Sequence, residues 1–531
     1  MQTDTDTTDH RYHDPVEAEA HDTFGVPYLY PAQRLVVDNI LDGCSQIVLM
    51  PTGSGKSLCF QLPARLLAGP TMVIVPLLSL LQDQLRRLRE GPLRVAALMG
   101  AQEMPERRRI LHAPAEREID VLFTTPEALA GRFGEQLPSL SISHCVIDEA
   151  HCISEWGDRF RPAYVELGAV IRAAGIPVVS AFTATASGPI VRRIREVIYA
   201  DAPVSVVSVD PDRTNLRYSV RQVLSKRRAL VECAQTMARP LIAFASSRGS
   251  TEHYARHLQA AGIASSRFYH AGLDADERRA IEQWFFDSPD GVLVATSAYG
   301  MGVDKGDIRT AIHLDPPPSI EAYLQEAGRG GRDGRPAQAL LLHAGTAERR
   351  RLEWMAPADR RRFVAVLAYA GSRRCRREQL LAPFTDGEVA CSGCDVCDRE
   401  LTGPPPQATA IADLVRRHRG RFGLRETALL LGGQPTYEAQ AMGLRRTRGF
   451  GYLRGWREAE IDEALAALLA AGTIERRRRG FVPARLCAPR HRSLVPVLKA
   501  LPSGEAAHTK SSGLGSDGCA GGIPAWMRAQ R

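Results

Sequence analysis

The stretch MPTGSGKS, Met50 to Ser57, follows the apolar run IVLM and precedes LCFQLPARLL, a pattern with helical spacing. A glycine-rich turn between a buried strand and a helix admits few folds. Its backbone N–H groups and the helix N-terminus converge on one point, which suits a phosphate. Here Gly53 and Gly55 let the backbone approach, Thr52 and Ser54 complete the turn, Lys56 reaches β and γ phosphates, and the Ser57 hydroxyl can ligate magnesium. The general pattern has glycine where Met50 stands, so the motif is a relaxed one. Similar apolar runs recur at residues 72–76, 121–125, 145–148 and 178–182, alternating with helical patterns, and predict a parallel α/β sheet. A second series at 241–246, 291–297, 310–315 and 339–344 predicts a second α/β lobe, with the division near Val206 to Arg221.

Two further motifs belong with the phosphate loop. VIDEAH (Val146 to His151) ends a predicted strand, placing Asp148 to hold magnesium through water and Glu149 to orient or deprotonate an attacking water. QEAGRGGRDG (Gln325 to Gly334), in the second lobe, offers Arg329 and Arg332 in a run without bulky neighbours, a form that suits charge on a transferring γ phosphate. Taken alone, the acids read as solvated loop charges and the arginines as a flexible basic loop; the phosphate loop upstream favours the catalytic alternative.

Of 11 cysteines, seven are scattered singly, and four form C-x15-C-x2-C-x2-C at Cys375, Cys391, Cys394 and Cys397. Four thiolates at this spacing suit tetrahedral Zn2+ in a structural module. The charge is uneven: of the net +8, residues 345–500 hold 29 Lys plus Arg against 17 Asp plus Glu, so the basic face lies in the C-terminal third and points to nucleic acid. Only five of the 68 basic residues are lysine, so arginine richness by itself reflects composition. No apolar run reaches about 18 residues, and the acidic start MQTDTDTTDHRYHD is unlike a secretory or transit peptide, so a cytoplasmic protein is expected.

In their order, PTGSGKS, PLLSLLQDQ, TTPEAL, DEAHCISEWG, FTATA, FASSR, YHAGL, ATSAYGMGVDK and QEAGRGGRDG resemble the RecQ DNA helicases of helicase superfamily two, from about Phe24 to Cys397. The resemblance implies RecA-like lobes with ATP between them, Arg329 or Arg332 as the arginine finger, Gln33 and Gln325 at the nucleotide, and Zn2+ on the four cysteines. It implies 3′ to 5′ translocation on single-stranded DNA, with single-stranded and tailed or forked duplex DNA as partners and recombination, repair or replication as the setting. An alternative is a DNA-stimulated ATPase that remodels or anneals DNA with little unwinding. CISEWGDRFRPAY is similar to the family's aromatic-rich loop, so Trp156, Phe160 and Arg161 are expected to couple DNA to the ATP site.

The chain departs from the family in two places. Val26 and Tyr30 stand where relatives have an aromatic and an arginine ahead of Gln33, leaving stacking on adenine to Tyr28 or Tyr30. Asp158-Arg159 replaces the family's His-Asp. The expected organisation is an acidic disordered tail (1–15), lobe 1 (16–210), lobe 2 (211–345), a helical zinc module (346–402), a linker (403–408), a reduced winged-helix-like domain (409–490) and a mostly disordered tail (491–531). In that domain Ile461, Leu465, Leu468 and Leu469 face inward on a helix. Arg476 to Arg479 form either a phosphate-contacting wing or a solvated basic turn.

Overall fold

The computed structural model describes residues 14–487, apart from 52, 101, 103–108, 111–117, 157–161, 185, 300–304, 346–347, 349–350, 386, 401–402, 404 and 478–483. Its first sheet contains β1 (Gln46–Leu49), β2 (Thr71–Ile74), β3 (Val95–Leu98), β4 (Val121–Thr124), β5 (His144–Ile147), β6 (Val178–Thr183) and β7 (Ser205–Ser208). All pairings are parallel, in the order β3-β4-β2-β5-β6-β1-β7. The central strands are apolar at nearly every position because helices cover both faces. Alternate residues serve opposite cores: Ile47, Met72, Leu122 and Ile147 pack on one face, and Val48, Val73, Phe123 and Val146 on the other.

The second sheet contains β8 (Leu216–Gln222), β9 (Leu241–Phe244), β10 (Ser266–Tyr269), β11 (Val292–Ala295), β12 (Thr310–His313) and β13 (Ala337–His343). It is also parallel, in the order β10-β11-β9-β12-β13-β8. Two lobes of this type are what the alternating apolar runs require.

Beyond β13, the helices Pro357–Gly371 and Arg376–Leu381 pack on β8 and β13 through Val366, Tyr369, Leu380 and Leu381. A final helical unit contains Pro406–Arg417, Leu424–Gly432 and Glu458–Ala470, followed by the antiparallel pair β14 (Glu475–Arg477) and β15 (Arg485–Cys487). Ile461, Leu465 and Leu468 are buried in its core. Leu469 packs at the core's margin.

Two expected boundaries differ. Asp14 caps Val16 N–H at 2.8 Å, so a helix begins at Pro15, inside the segment expected to be a tail. Another helix begins at Pro406, inside the expected linker, because a proline at the first helical position supplies the required φ and loses no hydrogen bond. The terminal segments 1–13 and 488–531, and Arg478 and Arg479 of the expected wing, lie outside the described residues. Among the described residues, no helix is long and apolar enough to cross a membrane.

Candidate functional site: a cleft between the two lobes

β1 delivers the chain into the loop Met50–Ser57, and the helix Leu58–Leu66 leaves it. Met50 is buried, with its sulfur 4.0 Å from the Cys59 thiol, so this large residue plugs the strand–helix junction. Gly53 and Gly55 have φ of 87° and 77°, in the left-handed region. A Cβ on Gly55 would lie 2.3 Å from Gln33 Nε2. Gln33 is 4% exposed; its Nε2 donates to Ser54 O at 2.9 Å, and its Oε1 accepts from Tyr30 N–H at 2.9 Å. Its carboxamide therefore braces the phosphate loop. Tyr28 and Tyr30 stand exposed beside it, edge to face at 5.5 Å. The Ser57 hydroxyl makes no capping bond to the helix it precedes. Thr52 lies outside the described residues.

Asp148 and Glu149 follow β5. Glu149 has φ +50°, unusual for a side chain of its size and a local strain that aims its carboxylate. Lys56 Nζ is 3.6 Å from Glu149 Oε1, and His151 Nδ1 is 3.3 Å from Oε2. Burial opposes ionisation of Glu149, but Lys56, His151 and Arg329 together hold its carboxyl well below the usual range. Asp148 moves the other way, because burial and the adjacent Glu149 outweigh Lys56. Asp148 Oδ1 accepts its neighbour's backbone N–H at 2.9 Å, and Oδ2 accepts from Gln84 Nε2 at 3.2 Å. His151 also meets Thr183 Oγ1 at 3.0 Å. Despite burial, the Cys152 thiol and the Glu149 carboxylate keep the imidazole pKa well above its ordinary value.

Across from these acids lies a cavity of about 310 Å³. Glu149, His151 and Cys152 line it from the first lobe, and Asp315, Gln325 and Arg329 from the second. The helix Ile320–Ala327 presents Gln325. Arg329 is 5% exposed, and burial with Arg332 beside it brings the guanidinium down to about 10. The GRGGR run is latched to the lobe. Arg213 donates to Gly331 O at 2.7 Å and Gly328 O at 3.2 Å, and Asn215 Nδ2 donates to Gly331 O at 2.7 Å and Arg335 O at 2.9 Å. A Cβ on Gly331, whose φ is 56°, would meet Arg335 O and Asn215 Nδ2 at 2.6 Å each. Arg332 is half-buried and outside the cavity lining.

The four thiols of Cys375, Cys391, Cys394 and Cys397 lie within 4.8 Å of one another. Tetrahedral Zn–S bonds of about 2.3 Å separate sulfurs by roughly 3.8 Å, so the donor set fits zinc after small adjustment. Burial opposes ionisation of Cys394, yet the backbone N–H groups of Cys397 and Arg376 pull its thiol down to about 7. Arg376 pairs with Asp395 at 2.9 Å and donates to Tyr369 O at 2.7 Å; Arg377 contacts Asp212 and the carbonyls of Arg213 and Leu216. Arg377 thus fastens the cysteine module to the second lobe, and Arg376 holds Asp395, whose Oδ2 accepts Val220 N–H of that lobe at 3.0 Å. Trp156 ends the helix Cys152–Trp156; its side chain, and all of Asp158, Phe160 and Arg161, fall outside the described residues.

Sequence reasoning assigned no role to Gln84, His151, Thr183, Arg213 or Asn215. Gln84 and Thr183 sit in segments that stood out, PLLSLLQDQ and FTATA, but their partners lie far away in the chain.

The DEAD/DEAH box helicase family model matches residues 30–194, and the helicase conserved C-terminal domain model matches residues 225–334. The ATP-dependent DNA helicase RecQ of Pasteurella multocida is 32% identical over 430 residues, 78% of this chain and 67% of that protein. Its Synechocystis counterpart is 35% identical over 391 residues, 68% of this chain and 79% of that protein. The fold is similar to the crystal structure of the DUF1998 helicase MrfA bound to DNA, with TM-score 0.52 and 20% identity, covering 67% of this chain and 56% of that one.

Proposed function

The chain belongs to the RecQ family of helicases, and from that premise we propose that it is an ATP-dependent DNA helicase that moves 3′ to 5′ on single-stranded DNA. One observation carries the proposal: Glu149 of the first lobe, 3.6 Å from Lys56, and Arg329 of the second line the same cavity. Lys56 pairs with Glu149 at this distance. A bound triphosphate would take over the ammonium, leaving the carboxylate to position water in line with the γ phosphate. Arg329 faces this point from the opposite lobe and would offset the charge that develops there, with Arg332 beside it.

Ser57 and Asp148 would hold the magnesium that neutralises the phosphates. The fit is supported by Gln84 Oε1, buried without a hydrogen-bond partner next to Asp148. Zinc on the four cysteines would act structurally, since a module this small draws much of its folding energy from metal. Trp156, Phe160 and Arg161 would report DNA to Glu149, which precedes them in the chain, with the aromatics offering stacking faces and the arginine a cation. The C-terminal helices and β14–β15 would form a reduced winged helix whose arginines meet DNA phosphates, and the protein would work in the cytoplasm on tailed or forked duplexes.

Strand displacement on duplexes with 3′ or 5′ tails, with ATP hydrolysis followed in parallel, tests this. Unwinding from 3′ tails alone is expected. Hydrolysis stimulated by DNA with neither tail unwound would replace the helicase with a remodelling or annealing ATPase. Faster hydrolysis with RNA than with DNA would overturn the substrate.

A further inference from the structure

Lysine is scarce in this chain, and three of its five lysines lie in the described segments: Lys56, Lys226 and Lys305. Lys226 is 6% exposed and has no part in the chemistry above. Its ammonium sits between two carboxylates, 2.8 Å from Asp315 Oδ1 and 2.9 Å from Glu348 Oε1. A compact ammonium fits between two acids where a planar guanidinium would force them apart.

Asp315 leads directly to the nucleotide cleft. Its Oδ2 accepts Ser246 N–H at 3.0 Å, and both residues line the cavity. From Asp315 the chain runs through Pro316, Pro317 and Pro318, which also wall the cavity, to Ser319, the N-cap of the helix that carries Gln325 and ends just before Arg329. Three consecutive prolines have fixed φ, so a shift at Asp315 is passed along rather than absorbed.

The residues flanking Lys226 face a different unit. Ser225 Oγ donates to Glu463 Oε2 at 2.7 Å, Arg227 N–H reaches the same oxygen at 3.3 Å, and the Arg227 guanidinium donates to Ala459 O at 3.1 Å. Both partners lie on the helix Glu458–Ala470 of the C-terminal domain. A second contact, Glu460 with His257 at 2.9 Å, holds that helix against the same lobe. Three consecutive residues thus hold the cleft wall on one side and the C-terminal domain on the other.

We propose that Ser225-Lys226-Arg227 is a joint through which the C-terminal domain sets the shape of the nucleotide cleft, with Lys226 a positioning residue for hydrolysis and Glu463 its counterpart. The inference rests on the cleft being the site of ATP hydrolysis. A displacement of the helix Glu458–Ala470 on DNA pulls at Ser225 and Arg227, turns the start of the helix Lys226–Thr236, and moves Asp315 with the wall that leads to Arg329.

A double-mutant cycle read on DNA-stimulated ATP hydrolysis by the full chain tests the joint. Glu463→Ala lies away from the cavity and leaves Ser225 Oγ capping Arg228 N–H at 3.1 Å, so the fold persists. It is expected to change KM or DNA-stimulated kcat by about threefold or more, within the range of coupled neighbours, with affinity for tailed DNA unchanged. Lys226→Gln is expected to change the same parameter, and the double variant to be no worse than Lys226→Gln alone. If Lys226→Gln does not fold, Lys226→Arg, which keeps the charge, takes its place in the cycle. Effects that multiply, or Glu463→Ala with wild-type kcat and KM, overturn the joint while leaving the helicase reading intact. A wild-type chain without DNA-stimulated hydrolysis overturns both.

Discussion

Glu149→Gln separates the catalytic reading of the cleft from a merely structural one. Glutamine preserves the volume and the hydrogen-bonding shape of the side chain and removes only the charge. In the structure that charge has two cationic neighbours, Lys56 at 3.6 Å and His151 at 3.3 Å. At an effective dielectric constant of about 20, the attraction between unit charges 3.6 Å apart is about 5 kcal/mol, a competition that a phosphate must overcome to engage Lys56. Removing the carboxylate lifts that competition, so ATP binding holds or tightens. Hydrolysis loses the group that positions and deprotonates water, a loss of about 10²- to 10⁴-fold in kcat. Phosphate release with saturating ATP and DNA measures the first quantity, and equilibrium binding of a fluorescent ATP analogue measures the second. A kcat within tenfold of wild type, or an ATP affinity that falls in parallel with kcat, would refute the assignment of Glu149.

The other tests concern the scaffold. Arg376→Ala leaves the buried Asp395 carboxylate without its cation, which costs about 3–5 kcal/mol; zinc release in a urea titration is expected at lower denaturant than in wild type, and an unchanged release midpoint would show that the pair holds nothing. Gly168→Ala places a Cβ 1.9 Å from Val197 O, a backbone atom that cannot turn aside; overpacking of this kind costs about 1–3 kcal/mol, and a lowered melting temperature with unchanged KM for ATP is expected. The raised pKa of His151 means that its pairing with Glu149 contributes stability in full below its unfolded value of about 6.5, and that this contribution is lost as pH rises through the higher folded value. Wild-type stability should therefore fall on the alkaline side relative to His151→Asn, whose curve lacks that decline; parallel curves would refute the linkage.

The strands that sequence periodicity missed have a common position. β3 and β7 are the two edges of the first sheet, and β10 and β8 the two edges of the second. An edge strand has a neighbour on one side only and tolerates exposure, so β7 reads SVVS with a single buried residue and β8 alternates as LRYSVRQ. Interior strands are covered on both faces and read as continuous apolar runs. The four-cysteine cluster shows the same contrast at the level of side chains. Four thiols, three of them with two residues between neighbours, announce themselves, whereas Arg377 reaches Asp212 and Arg213 more than 160 residues away and leaves no local pattern.

Strand order also explains why the cleft chemistry assembles where it does. β5, β6 and β1 are consecutive neighbours in the sheet, although their order in the chain is β1, β5, β6. Their carboxyl ends deliver Glu149, Thr183 and the loop that holds Lys56. Adjacent strands lie about 4.8 Å apart, so β5 and β1 are roughly 10 Å apart, and only long side chains meet across that gap. Lys56 and Glu149 do so above β6. His151 contacts both Glu149 and Thr183, which ties the ends of β5 and β6 to the Glu149 carboxylate. A change at the end of β6 therefore reaches Glu149 through one imidazole, and Thr183 of the FTATA segment is placed to communicate with the cleft without lining it.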